Sequence, residues 1–194
     1  MELFASVQKY YSYAEFLQLM EKLVAEGKTT GTNNPSEFVF YTKLNLQRYQ
    51  KWDKIFTLSD TTIAKATTVR PQIWWLINEG WCGDAAQSLP VMAKIAEASG
   101  GNIDLRIIMR DENLSIMDKY LTNGGRSIPK LISTDKDGNE LFNWGPRPAF
   151  AQKMMMDWKA DHKGISFEEI ERELHLWYAK DKGASTEQEL SALL

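Results

Sequence analysis

A single cysteine, Cys82, is all the thiol chemistry this 194-residue chain has. One thiol excludes any intrachain disulfide, so the fold must be held by its core, and 194 residues suffice to build one without staples or metal. Histidine is nearly as scarce: His162 and His175 stand thirteen positions apart and both far along the chain from Cys82. Neither a histidine-rich metal site nor a Cys–His pair is suggested by that spacing. Positive charge is not in excess, because the formal net charge is -3 and no basic stripe stands out, which argues against nucleic acid as a partner. No apolar run approaches a membrane span, and MELFASVQKYYSYAEF lacks the basic-then-apolar order of a signal peptide. The cytoplasm is the expected location, and the sequon Asn113-Leu114-Ser115 is read as chance.

What is present reads as a helical leader followed by an α/β pattern. Ser12 and Glu15 have capping-box spacing ahead of FLQLMEKLVAE, and Gly27 stops that run. Asn34-Pro35-Ser36-Glu37 offers an N-cap asparagine with proline at the first helical position. Phe38, Tyr41, Tyr49, Trp52 and Phe56 then recur at helical spacing, a stripe read as core. A short third helix is expected from Ser59 or Asp60 to about Thr67.

From Pro71 the periodicity changes. QIWWLIN is a short apolar run of the kind found in strands buried on both faces. A helix is expected from about Cys82 to Ser99, a second strand at IDLRIIM, and a helix over LSIMDKYLTN stopped by Gly124-Gly125. PKLIST and NELFNW flank Asp137-Gly138, a hairpin turn, and PAFAQKMMMDWKA spaces Phe150, Met154 and Trp158 for a helix. The order β-α-β-α-β-β-α calls for a parallel strand pair followed by an antiparallel hairpin in one mixed sheet. Ser166 and Glu169 then cap a C-terminal helix with Ile170, Leu174 and Trp177 on its apolar side, and Thr186 to Leu194 is either a further helical turn or two or frayed. The boundaries expected are a helical extension over 1–67 packed on the core, an α/β domain over 68–162 and a helical segment over 163–194.

Cys82 lies where a buried strand gives way to a helix, the edge at which open α/β sheets place their sites. Backbone N–H groups at a helix start pull a thiol from about 8.5 into the range of roughly 3.5–7.5, where the reactive thiolate forms. Asp84, two residues on, has two opposed effects. It suits the helix dipole and offers to bond first-turn N–H groups, yet its charge raises the thiol's pKa. The net expectation is a modestly acidic thiol.

These residues resemble a known family. Trp81-Cys82-Gly83 is similar to the WCGPC opening of the thioredoxins, Pro90 falls where they carry a helix-kinking proline, and Ile128-Pro129 resembles their cis-proline. Trp144-Gly145 is similar to the glycine loop bordering their substrate groove. The resemblance covers about Thr68 to Ala160, and the helical leader with WCGDA resembles a bacterial branch of thioredoxin-like proteins. It implies an α/β thioredoxin-like fold, with a central mixed sheet flanked by helices and an N-terminal helical extension. It also implies Cys82 as nucleophile, Trp81 and Gly83 shaping the approach, and Ile128 and Pro129 docking the substrate, while Asp84 is a substrate-binding candidate by its place beside Cys82. Three positions depart from the family: the resolving cysteine is Ala85, the motif's proline is Asp84, and the buried carboxylate six residues before the cysteine is Leu76.

Without a second thiol, a mixed disulfide formed on Cys82 persists until an outside thiol attacks it. The expected function is monothiol exchange resolved by a protein or a low-molecular-weight thiol, with no other cofactor and no metal. Arg110, Arg126 and Arg147 fall on loops at the sheet edges, and Arg126, close to Pro129, is the candidate for holding an anionic thiol by bidentate contacts. The alternative to that role is a set of surface charges pairing with Asp111 and Glu112. The other class of function is a non-catalytic binding module that keeps the groove and has lost the chemistry.

Overall fold

A computed structural model describes residues 3–194. Three helices lead: α1 (Tyr13–Ala25), α2 (Ser36–Ile55) and α3 (Asp60–Thr68). The Ser12–Glu15 capping box forms as expected, and Ser59 caps α3 by accepting from the Thr62 N–H. Pro35, not Asn34, occupies the cap position of α2, because the Asn34 side chain is turned back to accept from the Thr29 N–H at 2.9 Å.

The core follows as β1 (Gln72–Asn78), α4 (Ala85–Ala98), β2 (Ile103–Met109), α5 (Leu114–Met117), β3 (Lys130–Thr134), β4 (Glu140–Trp144) and α6 (Ala149–Ala160). The sheet order is β2-β1-β3-β4, with β1 and β2 parallel and the β3–β4 hairpin antiparallel. This is the mixed sheet that the element order called for. Two expectations need correction. The helix after β2 spans only four residues, and Gly124-Gly125 does not stop it: Thr122 and Gly125 instead exchange backbone hydrogen bonds in a tight turn. The helix after β1 begins at Ala85, which leaves Cys82 in the turn before it.

Strand alternation divides the core in two. Trp74 and Leu76 point into a cluster with Phe16, Tyr49, Leu89 and Met92, while Trp75 and Ile77 point the other way, toward Cys82, Ile108, Ile128 and Ile132. The leader belongs to this packing. Tyr11 exchanges backbone hydrogen bonds with Ile107 at 2.9 and 2.8 Å and so covers the outer edge of β2. Phe4 stacks on Trp75 with centroids 4.6 Å apart, and Trp52 Nε1 donates to Gln87 at 2.8 Å. Among the described residues, no helix is long and apolar enough to cross a membrane.

The tail is ordered helix, α7 (Phe167–Asp181) and α8 (Ala184–Leu193). The Ser166–Glu169 capping box opens α7, and Ile170, Leu174 and Tyr178 pack against Ala151 and Met155 of α6. Phe150 does not join that core, being 60% exposed and stacked on Trp177 instead. Leu190 is fully buried in the main core, and Glu189 accepts from Trp144 Nε1 and from the Ala149 N–H, both at 2.7 Å. Fraying is therefore ruled out for α8, which is pinned on both sides. Leu190→Ala should cost about 2–5 kcal/mol, the range for emptying a packed leucine site. A denaturant midpoint unchanged from wild type would show that α8 does not contribute to the cooperative unit.

Candidate functional site

The turn carrying Cys82 is built from the end of β1. Glu79 closes that strand and is wholly buried. Its carboxylate accepts from the Thr30 hydroxyl and from the Asp111 N–H at 2.9 Å, and burial pushes its pKa up against those two bonds. Thr30 also accepts from the Gly80 N–H at 2.8 Å, while Asn45 of α2 donates to the Gly80 carbonyl at 3.1 Å. The leader thus grips the cysteine loop directly. Sequence reasoning passed over Glu79, although an acid ending a fully apolar strand was a visible signal.

Cys82 is 5% exposed, and its thiol donates to the Ile128 carbonyl at 3.3 Å, immediately before a cis Ile128–Pro129 peptide. Cys82 borders a crevice of about 290 Å³. Burial first and the Asp84 charge second raise the thiol to about 12, against smaller opposing pulls from the Ala85 N–H, Arg147 and the Asp84 N–H. The expectation of a modestly acidic thiol is overturned. The helix start does act in the expected direction, but desolvation outweighs it.

Asp84 is the residue whose placement most revises the sequence reading. Its side chain caps no helix N–H, and the residue is 8% exposed. Arg147 Nη2 lies 2.6 Å from one carboxylate oxygen, and the Tyr178 hydroxyl donates to the other at 3.0 Å. Burial raises the Asp84 pKa, and Arg147 and Tyr178 pull it back. Arg147 comes from the loop after β4, where a second cis peptide, Gly145–Pro146, occurs. Gly145 has φ +107, and any side chain there would collide with the Pro129 carbonyl, so only glycine fits. Tyr178 comes from α7, and no local motif announced it.

The remaining expected residues divide. Trp81 borders the crevice with Phe38 stacked on it at 4.3 Å and the Arg110 guanidinium 4.8 Å from its ring centre. Gly83 lies against α7, where an added Cβ would sit 3.2 Å from His175. Ile128 borders the crevice, whereas Pro129 is buried behind it and does not. Arg126 reaches the crevice rim, but its guanidinium is taken by Asp118 in an exposed bidentate pair at 2.6 and 2.9 Å. Arg110 is paired with Asp111 at 2.9 Å. Phe38 and Tyr41, expected in the core with Tyr49 and Trp52, line the crevice instead. His175, expected to be far from the cysteine, lines it too. Among the described residues, no group of three or more His, Cys, Asp and Glu side chains is placed to hold a metal ion.

A four-stranded mixed sheet with a lone thiol in the turn after its central strand, facing a cis-prolyl peptide, defines a thioredoxin-type α/β protein. The chain belongs to the thioredoxin family, whose model, described as Thioredoxin, matches residues 31–159. That match begins ahead of α2, so it includes part of the helical leader. No curated protein matches. Among solved structures, a Pseudomonas aeruginosa protein of unknown function is similar, with 18% identity, a TM-score of 0.59, and 94% of this chain and 96% of that chain covered. An HIV 4E10 epitope-scaffold is also similar, at 18% identity and a TM-score of 0.55, over 94% of this chain and 97% of that one. At such identity the likeness shows the fold alone.

His175 supplies a pH test of the site. Burial, then Arg48 and Arg147, lower its pKa from 6.5 to about 4, and the Gln87 amide lies 3.4 Å from its Nδ1. The folded state then binds fewer protons than the unfolded state between those values. The His175 contribution to stability is therefore fully present above 6.5 and lost as pH falls toward about 4. Subtracting the pH–stability curve of His175→Gln from that of wild type should leave a slope confined to this window. A flat difference would mean that His175 is solvated.

Proposed function

We propose that this protein carries out monothiol thiol–disulfide exchange through Cys82. The observation that carries the reading is the placement of Cys82: the residue borders the crevice, and its thiol is bonded to the Ile128 carbonyl at 3.3 Å. In the exchange, the Cys82 sulfur attacks one sulfur of a disulfide R–S–S–R. The S–S bond breaks, a Cys82–S–S–R bond forms, and the leaving RS⁻ takes up the proton that Cys82 gives away. Cys82 is oxidised to the disulfide level and one RS group is reduced. With Ala85 in place of a resolving cysteine, an external thiol R′–SH must attack the adduct, releasing R–S–S–R′ and restoring Cys82. A low-molecular-weight thiol of a reducing cytoplasm is the resolving agent under this proposal. Trp81 and Gly83 shape the approach to the sulfur, and Ile128 lies beside it. Arg126 gives its Nε and Nη2 to Asp118 in an exposed pair, which leaves Nη1 to meet an anionic thiol.

One specific observation favours the second reading, a non-catalytic module. A thiol that is 5% exposed and raised to about 12 spends almost all its time protonated at neutral pH. Exchange through it must therefore be slow unless the substrate itself completes the site. The two readings separate in one experiment. Native protein incubated with a small disulfide should gain the mass of one half-disulfide on Cys82 and lose it on adding a second thiol, and Cys82→Ser should gain nothing. Modification only after denaturation would contradict exchange and leave the module.

A further inference from the structure

Two helices outside the sheet enclose the approach to Cys82. Phe38 and Tyr41 of α2 form one side of the crevice, and Phe167, Glu171 and His175 of α7 form the other. The two sides are joined side chain to side chain, because the Tyr41 hydroxyl donates to Glu171 Oε2 at 2.9 Å across 130 positions of sequence. Neither wall is loosely held. Tyr49 and Trp52 root α2 in the main core, while Ile170, Leu174 and Tyr178 root α7 against α6. The Tyr178 bond to Asp84 fixes α7 to the cysteine turn itself.

The crevice volume of about 290 Å³ sits just below the range of about 300–1,000 Å³ typical of small-molecule sites. An extended protein chain needs more than volume. It needs an open groove and free backbone groups to pair with. Here the Ile128 carbonyl accepts the Cys82 thiol, Pro129 is buried, and the Pro129 carbonyl faces Gly145.

We propose that α2 and α7, bridged by Tyr41 and Glu171, act as a size filter over Cys82, admitting low-molecular-weight disulfides and thiols and excluding protein chains. The proposal rests on the exchange reading above and names its substrate class. Tyr41 and Glu171 are specificity-determining residues in this account and take no part in the sulfur chemistry.

The test uses the full chain and two reagents of identical reactivity, N-ethylmaleimide and a maleimide joined by a short linker to a folded carrier protein. Labelling of Cys82 is followed by mass. The small-to-large rate ratio of the native protein should exceed that of the urea-unfolded chain by at least about tenfold, equivalent to one order of magnitude in accessibility. Tyr41→Ala should bring the native ratio back toward the unfolded one, and Glu171→Ala, which removes the acceptor, keeps the test open if Tyr41→Ala unfolds. Ile55→Ala serves as the control, since Ile55 is 56% exposed on the same helix and does not border the crevice; it should change nothing. Equal native rates for both reagents would overturn the filter and leave the exchange reading standing. Labelling by neither reagent would overturn both.

Discussion

The buried carboxylate of Asp84 is the point through which the parts of this molecule are tied together. It stands in the turn after Cys82, receives a guanidinium from the loop after β4 and a hydroxyl from α7, and is almost closed to water. Burying a charge is costly unless it is paired and hydrogen-bonded, and here both oxygens are engaged. Removing Arg147 would leave that charge uncompensated, and removing the Tyr178 hydroxyl would leave one oxygen without its hydrogen bond. The C-terminal helix is therefore part of the site's electrostatics as well as its wall. In the related WCGPC motif this position is proline, which carries no charge, whereas Asp84 here draws a hydroxyl from α7.

The consequence for the thiol runs against the usual helix-start argument. Cys82 has the backbone N–H groups of Asp84 and Ala85 directed at it, the arrangement that favours a thiolate. Enclosure by Trp75, Ile77 and Ile128, together with the Asp84 charge, outweighs them. A resting protonated thiol that donates to Ile128 follows. The same enclosure shapes the crevice. Keeping water from the sulfur and keeping large partners from it are two effects of one packing arrangement.

Much of the fold was legible because it rests on local signals. The Ser12–Glu15 and Ser166–Glu169 boxes, the unbroken run QIWWLIN and the turn at Asp137-Gly138 each declare an element through short-range chemistry. The thioredoxin resemblance located Cys82 and the Ile128-Pro129 peptide correctly, since both lie in short motifs. What escaped was long-range. Asp84 read as a helix-start acid because nothing nearby in sequence revealed Arg147 and Tyr178, 63 and 94 positions away. Phe38 and Tyr41 read as core because helical spacing identifies a face but not what lies opposite it. Distance in sequence likewise placed His175 away from Cys82, whereas α7 folds it back over Gly83. Arg126 looked available until Asp118, eight residues earlier, proved to be its partner.

The chemistry of this protein depends on the state of one thiol. The most direct measurement is the far-ultraviolet thiolate absorbance of native protein as pH is raised, with Cys82→Ser subtracted to remove tyrosine. No thiolate step is expected below about pH 10, beyond the ordinary cysteine value of about 8.5, and Asp84→Asn should bring the step to lower pH. A wild-type midpoint at or below that ordinary value would contradict the account, because it would mean that burial and the Asp84 charge do not govern Cys82.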